Sequence, residues 1–167
     1  METKLFGKWD ISGVQVKDQT LSKQISLTPK IVPHTFGKGA RRAFGKEKVN
    51  IVERLVNKIM RSGQGKRKLS GKYIRGRGSC GKKIQAMRIV EDAFDMIHAQ
   101  TNENPVQILV RAVENAAPRE DVTRLKKGGV AYSQAVDVAP MKRIDESVKN
   151  LALAGFYGSF NTNTSAA

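Results

Sequence analysis

The 167-residue chain carries 30 Lys and Arg against 15 Asp and Glu, a formal net charge of +15. An excess of that size points to a polyanionic partner, because Lys and Arg release the counterions condensed on a phosphate backbone, and solubility alone seldom asks for so much charge of one sign. Aromatic residues at 6% favour contacts to a nucleic-acid backbone over base-stacking platforms, and a lone cysteine, Cys80, excludes an internal disulfide framework and fits a reducing compartment.

No apolar run approaches the length that crosses a membrane, and METKLFGKWD contains no signal-peptide core, so a soluble, cytoplasmic chain with no membrane partner is expected. Residues 1–46 show no sustained periodicity. Short apolar pieces (Leu5-Phe6, Trp9, Val14, Leu21, Ile25, Ile31-Val32) are separated by Gly, Pro, Asp and Lys. This reads as an extended basic N-terminal arm with one short helix near 21–27, anchored on the body by Phe6 and Trp9. The following piece carries Lys38, Arg41, Arg42, Lys46 and Lys48 against Glu47 alone.

Residues 49–60 form the first clear helix, with Val52, Leu55, Val56, Ile59 and Met60 on one face. Arg54, Lys58 and Arg61 make a second stripe. On an isolated helix that stripe is a solvated face, but next to a basic run it favours phosphate contact. The run itself, 63–83, holds Lys66, Arg67, Lys68, Lys72, Arg75, Arg77, Lys82 and Lys83, six glycines and no acid. Self-repulsion and glycine oppose a packed core there, so the segment is expected to be extended until it meets RNA. Gly76, Gly78 and Gly81 match G-x-G-x-x-G, but no buried strand precedes them and no βαβ unit surrounds them, which argues against a nucleotide pocket.

A second helix over 83–99 places Ala86, Ile89, Val90, Ala93, Phe94 and Ile97 on one stripe, with Glu91, Asp92 and Asp95 as a solvated or salt-bridged outer face. His98 reads as a hydrogen-bonding or dipole-capping residue. Two histidines and one cysteine show no ligand spacing, so no metal site, no cofactor and no catalytic residue is expected. The third helix spans 104–117, with Asn104 as N-cap, Pro105 in the first helical position, Gln107 completing a capping box and Pro118 stopping it. Gly128-Gly129 then joins two strands into a hairpin, residues 119–139. Pairing outward sets Lys127 opposite Val130, Leu125 opposite Tyr132 and Thr123 opposite Gln134. The other face carries Lys126, Arg124 and Val122 opposite Ala131, Ser133 and Ala135. A fourth helix begins near Pro140, with Ile144, Val148, Leu151 and Ala152 inward, and its pattern dissolves after Leu153. The expected fold is mainly α: a helical-bundle body over 47–167, a protruding two-stranded β-ribbon, and the arm.

With these elements placed, the sequence resembles the universal small-subunit ribosomal protein seven family, protein five in eukaryotes. The matching residues begin with Ile51-Val52-Glu53-Arg54-Leu55, Asn57-Lys58 and Met60, followed by Gly81-Lys82-Lys83, Ile89-Val90 and Ala93-Phe94. They continue through Glu103-Asn104-Pro105, Asn115-Ala116-Ala117-Pro118-Arg119-Glu120, Thr123-Arg124, Gly128-Gly129, and Ala135-Val136-Asp137-Val138-Ala139-Pro140 with Arg143. Lys4 to Trp9 and Pro33-His34-Thr35 are similar to the archaeal and eukaryotic branch. The resemblance spans most of 4–154.

It implies a structural constituent of the small ribosomal subunit, not an enzyme, that binds the 3′ major domain of small-subunit rRNA and nucleates head assembly. It also implies proximity to mRNA and exit-site tRNA, with head and platform ribosomal proteins as neighbours. Carried over to matching positions, Arg119, Arg124, Lys126 and Lys127 fall on the ribbon around Gly128 and Gly129, and Lys82, Lys83 and Arg143 on the rRNA-facing side. Charge and position add Lys38, Arg41, Arg42, Arg54, Lys58, Arg61, Lys142 and the cations of 63–83 to the expected rRNA contacts. Two departures stand out. Residues 65–80 form a basic, glycine-rich insert where the family has a short turn; it is expected to penetrate rRNA, with a solvated loop as the alternative. The family also continues past the equivalent of Ser159-Phe160-Asn161 into a long helix and basic tail, whereas Gly155 to Gly158 interrupt the helical pattern here, so no exit-tRNA contact from that helix is carried over. Two other classes compete. A DNA-binding regulator lacks helix-turn-helix spacing, and a nucleotide-dependent enzyme rests on the glycine match alone.

Overall fold

A computed structural model describes residues 3–38, 42–62, 81–160 and 162–167, with the backbone of two short strands between 62 and 81. The order is α1 (Gln19–Ser22), a 3₁₀ turn (Gly45–Lys48), α2 (Ile51–Met60), β1 (Lys68–Leu69), β2 (Lys72–Tyr73), α3 (Lys83–Thr101), α4 (Pro105–Ala116), β3 (Glu120–Lys127), β4 (Val130–Asp137) and α5 (Pro140–Ser159). This is a mainly α fold with an antiparallel ribbon.

Local chemistry fixes most boundaries. The Asn50 side chain accepts the Val52 N–H to start α2, and Asn104 does the same for Val106 at α4, with Pro105 in the first helical position. The α4 capping box does not close. The Gln107 side chain instead binds both backbone groups of Gln15, accepting its N–H at 2.8 Å and donating to its carbonyl at 3.0 Å. It serves the arm, not its own helix. α3 runs two residues past Ala99, to Thr101, and ends where Asn102 turns left-handed at φ 55° and donates to the His98 carbonyl. α5 continues through Gly155 and Gly158 to Ser159, beyond the point where the sequence pattern fades.

The core gathers Val52 and Val56 of α2, Val90 and Phe94 of α3, Val106 and Val113 of α4, and Ile144 and Val148 of α5. α2 packs on α3 and α5, and α4 on α3 and α5. The arm belongs to this core as well: Leu5, Ile11, Leu21 and Ile25 are buried in it. The Phe6 ring meets Phe94 edge-on at 6.4 Å, Trp9 meets His98 at 4.9 Å, and Lys8 pairs with Glu91 and Asp95. His98 Nδ1 lies 3.1 Å from the Glu103 carbonyl, the hydrogen-bonding role expected of it. The short helix falls at Gln19–Ser22, just ahead of the expected 21–27. β1 and β2 pair antiparallel where no element was expected; Cys80 and the rest of 63–80 lie outside the described residues.

The ribbon follows the Gly-Gly register pair for pair, Lys127 facing Val130 and Val122 facing Ala135, with Gly128 and Gly129 at φ +60° and +83°. Eight residues per strand at about 3.3 Å each carry its tip roughly 26 Å from its base. Leu21→Ala should lower stability by about 2–5 kcal/mol in urea denaturation, the loss expected of a core leucine. A side chain merely resting on the surface would cost under about 0.5 kcal/mol.

Candidate nucleic-acid interface

The described cations fall into two groups. The first is internal. Arg54 is buried, its guanidinium donating to Asp145 at 3.1 Å and to the Gln24 carbonyl at 3.2 Å. Asp145 also accepts Lys46 at 3.0 Å. Burial pushes the Asp145 carboxyl up, but its bonds to Lys46 and Arg54 outweigh this and hold it below the usual carboxylate range. Arg143 is buried too. It donates to the Pro118 carbonyl at 3.1 Å, the Thr20 hydroxyl at 2.6 Å and Asp18 at 3.1 Å, so one side chain ties the ribbon's entry, the arm and α5 together. The Asp18 carboxyl is held low first by the Thr20 hydroxyl, against the upward push of burial, and then by the Thr20 N–H and Arg143.

Lys83 reaches inward to Glu53 at 2.7 Å. Glu53 is 1% exposed, and its Oε1 also accepts the Thr35 N–H and hydroxyl, each at 2.9 Å. Burial pushes this carboxyl up, and the Lys83 and Thr35 hydrogen bonds more than reverse it. Arg54, Lys83 and Arg143, expected among the rRNA contacts, are each bound to an acidic side chain of this chain, Asp145, Glu53 and Asp18. Pulling Lys83 away would strand the buried Glu53 carboxylate, and Arg54 and Arg143 each bind a partly buried aspartate and a backbone carbonyl.

The second group faces solvent: Lys38 and Arg42 in the loop before the 3₁₀ turn, Arg61 at the end of α2, Lys82 at the N-cap of α3, Arg119 and Lys142 at the ribbon's base, and Arg124, Lys126 and Lys127 toward its tip. Lys58 is half-buried, and desolvation lowers its pKa; Lys46 and Arg61 lie close enough to push the same way, while Asp145 opposes. Lys46, Lys58 and Arg61 thus share a patch with the carboxylates of Asp145 and Glu146, and an added phosphate there would favour the charged lysine. Charge along the ribbon is polarised. Glu120 faces Asp137 at the base, and Lys142 bonds Asp121 at 2.7 Å. The positive side chains sit toward Gly128-Gly129, Arg124 and Lys126 on one face and Lys127 on the other. Arg41, Lys66, Arg67, Arg75 and Arg77, and the side chains of Lys68 and Lys72, lie outside the described residues.

An apolar groove of about 460 Å³ runs between α2, α3, α4 and α5, lined by residues such as Leu55, Ile59, Phe94, Leu109, Leu151 and Phe156 and by no titratable side chain. Among the described residues no cluster of His, Cys, Asp or Glu could hold a metal ion, and no described helix is long and apolar enough to cross a membrane. Among the described residues, the strand before the glycine match pairs antiparallel with β1, unlike the parallel strands of a dinucleotide site.

The fold is thus a mainly α body whose ribbon carries its positive side chains toward the tip. Residues 21–163 match the family described as ribosomal protein S7p/S5e. The chain is 46% identical over 164 residues to the small ribosomal subunit protein uS7 of Methanococcoides burtonii, covering 98% of this chain and 81% of that protein. It is likewise 46% identical to the uS7 protein of Halobacterium salinarum, over 98% of this chain and 70% of that one. The chain belongs to the ribosomal protein S7p/S5e family, whose members are structural and not enzymatic.

Arg143→Ala should cost about 2–3 kcal/mol of stability, because it removes at once the bonds to Asp18, Thr20 and the Pro118 carbonyl from a buried position. Lys126→Ala at the exposed tip should cost less than about 0.5 kcal/mol. Paired urea melts of the two variants check the division between internal and surface cations.

Proposed function

We propose that the chain is a structural constituent of the small ribosomal subunit that binds the 3′ major domain of small-subunit rRNA, nucleates assembly of the head, and works in the cytoplasm. The observation that carries this reading is the sorting of charge. Arg54, Lys83 and Arg143 brace the fold, and the patch of Lys46, Lys58 and Arg61, with Lys38, Arg42, Lys82, Arg119 and Lys142, remains on the outside for rRNA. Lys66, Arg67, Lys68, Lys72, Arg75 and Arg77 of the 63–80 segment, together with Arg41, are added to these rRNA contacts on the ground of their charge alone. Most such contacts bind phosphates and set position, and specificity comes from RNA shape.

The ribbon has a separate task. Its reach and its basic tip, Arg124, Lys126 and Lys127 around Gly128 and Gly129, suit a place beside mRNA and exit-site tRNA in the assembled subunit, with head and platform proteins as neighbours. Filter binding to a head-domain rRNA fragment, an unrelated structured RNA and duplex DNA, each at two salt concentrations, tests the first part. The rRNA complex should survive the higher salt while the other two dissociate; equal affinities that fall together would show charge-driven association alone. The ribbon's task predicts that the double variant Lys126→Glu, Lys127→Glu changes rRNA affinity by less than about twofold. A larger loss would move the tip onto rRNA.

A further inference from the structure

Phe36 is the most exposed large apolar side chain described, at 81%, and its backbone sits at φ 52°, a conformation that bulky residues rarely adopt. Strain of this kind persists where surrounding structure imposes it, and it concentrates at ligand clamps. The surroundings here impose it firmly. Thr35, one residue back, is tied by two hydrogen bonds to buried Glu53, and Pro33 is buried. The Phe36 N–H donates to His34 Nδ1 at 2.9 Å, and the two rings stack with centroids 4.1 Å apart and planes 24° apart. In a neutral imidazole the proton then sits on Nε2, which becomes a donor. One face of the phenyl ring is covered by His34, and exposure of 81% leaves the opposite face bare.

The same loop borders a cavity of about 350 Å³ lined by Lys30, His34, Thr35, Phe36, Lys38, Lys48 and Val49, three lysines and no carboxylate. A bare aromatic face beside convergent ammonium groups is the arrangement that binds unpaired bases, by stacking on the ring and drawing in the phosphate. We propose that the His34–Phe36 stack and its lysines clamp a single unpaired nucleotide, its base on the open face of Phe36 and its phosphate among Lys30, Lys38 and Lys48. This deepens the rRNA reading and rests on it, and it adds one base-stacking contact to a surface otherwise suited to phosphates.

The test uses the whole chain, wild type and Phe36→Ala and Phe36→Trp variants, titrated with a short single-stranded RNA and with the same strand carrying abasic sites. Stacking predicts that Phe36→Ala weakens binding of the intact strand about tenfold and Phe36→Trp preserves it. Wild type should bind the abasic strand no better than Phe36→Ala does. Because the ring is exposed, circular dichroism should show all three chains equally folded. If Phe36→Ala matches wild type on the intact strand, or wild type fails to distinguish intact from abasic RNA, the clamp is refuted and Phe36 becomes a candidate for protein contact. The head-domain rRNA fragment, measured alongside, separates the two readings. Wild-type failure on that fragment sinks the ribosomal RNA reading, whereas wild-type binding that Phe36→Ala leaves unmoved in every titration sinks the clamp alone.

Discussion

A buried carboxylate on α2 fixes the geometry on which the basic surface depends. Glu53 Oε1 accepts from Thr35 twice and from Lys83 once, joining the loop before the 3₁₀ turn, the middle of the bundle and the first turn of α3 at one oxygen. Against an apolar side chain of similar size such a site gains little stability, because desolvating the charges offsets their attraction. Its effect lies in what it specifies. An ionised glutamate at that depth tolerates only an arrangement that brings donors to it, so the loop and the start of α3 each have one place to be. The direction of the basic loop, and with it the orientation of His34 and Phe36, follows from that.

Two further clusters do the same work elsewhere. Arg143 binds Asp18, Thr20 and the Pro118 carbonyl, clamping the arm against the root of the ribbon, and Arg54 with Lys46 closes on Asp145 to hold α5 beside α2. Each joins segments far apart in sequence, where an isolated ion pair on a single helix would contribute a few tenths of a kcal/mol at most. A ribbon held only by its own hairpin would be marginal in water. Fastened at its base by Arg143, by the Val138 N–H on the Arg119 carbonyl and by Lys142 on Asp121, it can stand away from the body with both faces exposed.

What the sequence disclosed, and what it concealed, divides along the same line. Features set within a few residues were legible: the Asn104-Pro105 start of α4, the register fixed by Gly128-Gly129, the inward stripes of α2 and α3. Features that need a distant partner were not. Arg54, Lys58 and Arg61 share one helical stripe, and nothing in their spacing tells that Arg54 turns in toward Asp145 while Arg61 faces water. Gln107 sits where a capping box requires it, yet it serves Gln15 in the arm. The arm's own core residues, Leu5, Ile11, Leu21 and Ile25, follow no period because an irregular strand of chain buries whichever side chain happens to face the bundle.

The tripeptide Phe-Gly-Lys shows how far local sequence reaches. It occurs at Phe6, Phe36 and Phe44, and all three phenylalanines adopt left-handed backbone with φ between 52° and 58°. The backbone outcome is therefore shared, while the ring outcome is not. Phe6 packs against Phe94 and the buried cluster, and that burial offsets the strain of its turn. Phe44 caps the 3₁₀ turn with its ring 77% exposed, and Phe36 lies more exposed still, backed only by His34. A strained, solvent-facing phenyl ring gains nothing for folding from its exposed face, so the fold alone gives no reason for a phenylalanine there. The same local geometry is thus backed by the core at Phe6 and by a single stacked ring at Phe36, and only at Phe36 do three lysines line the adjoining cavity, a setting whose charge suits an anionic partner.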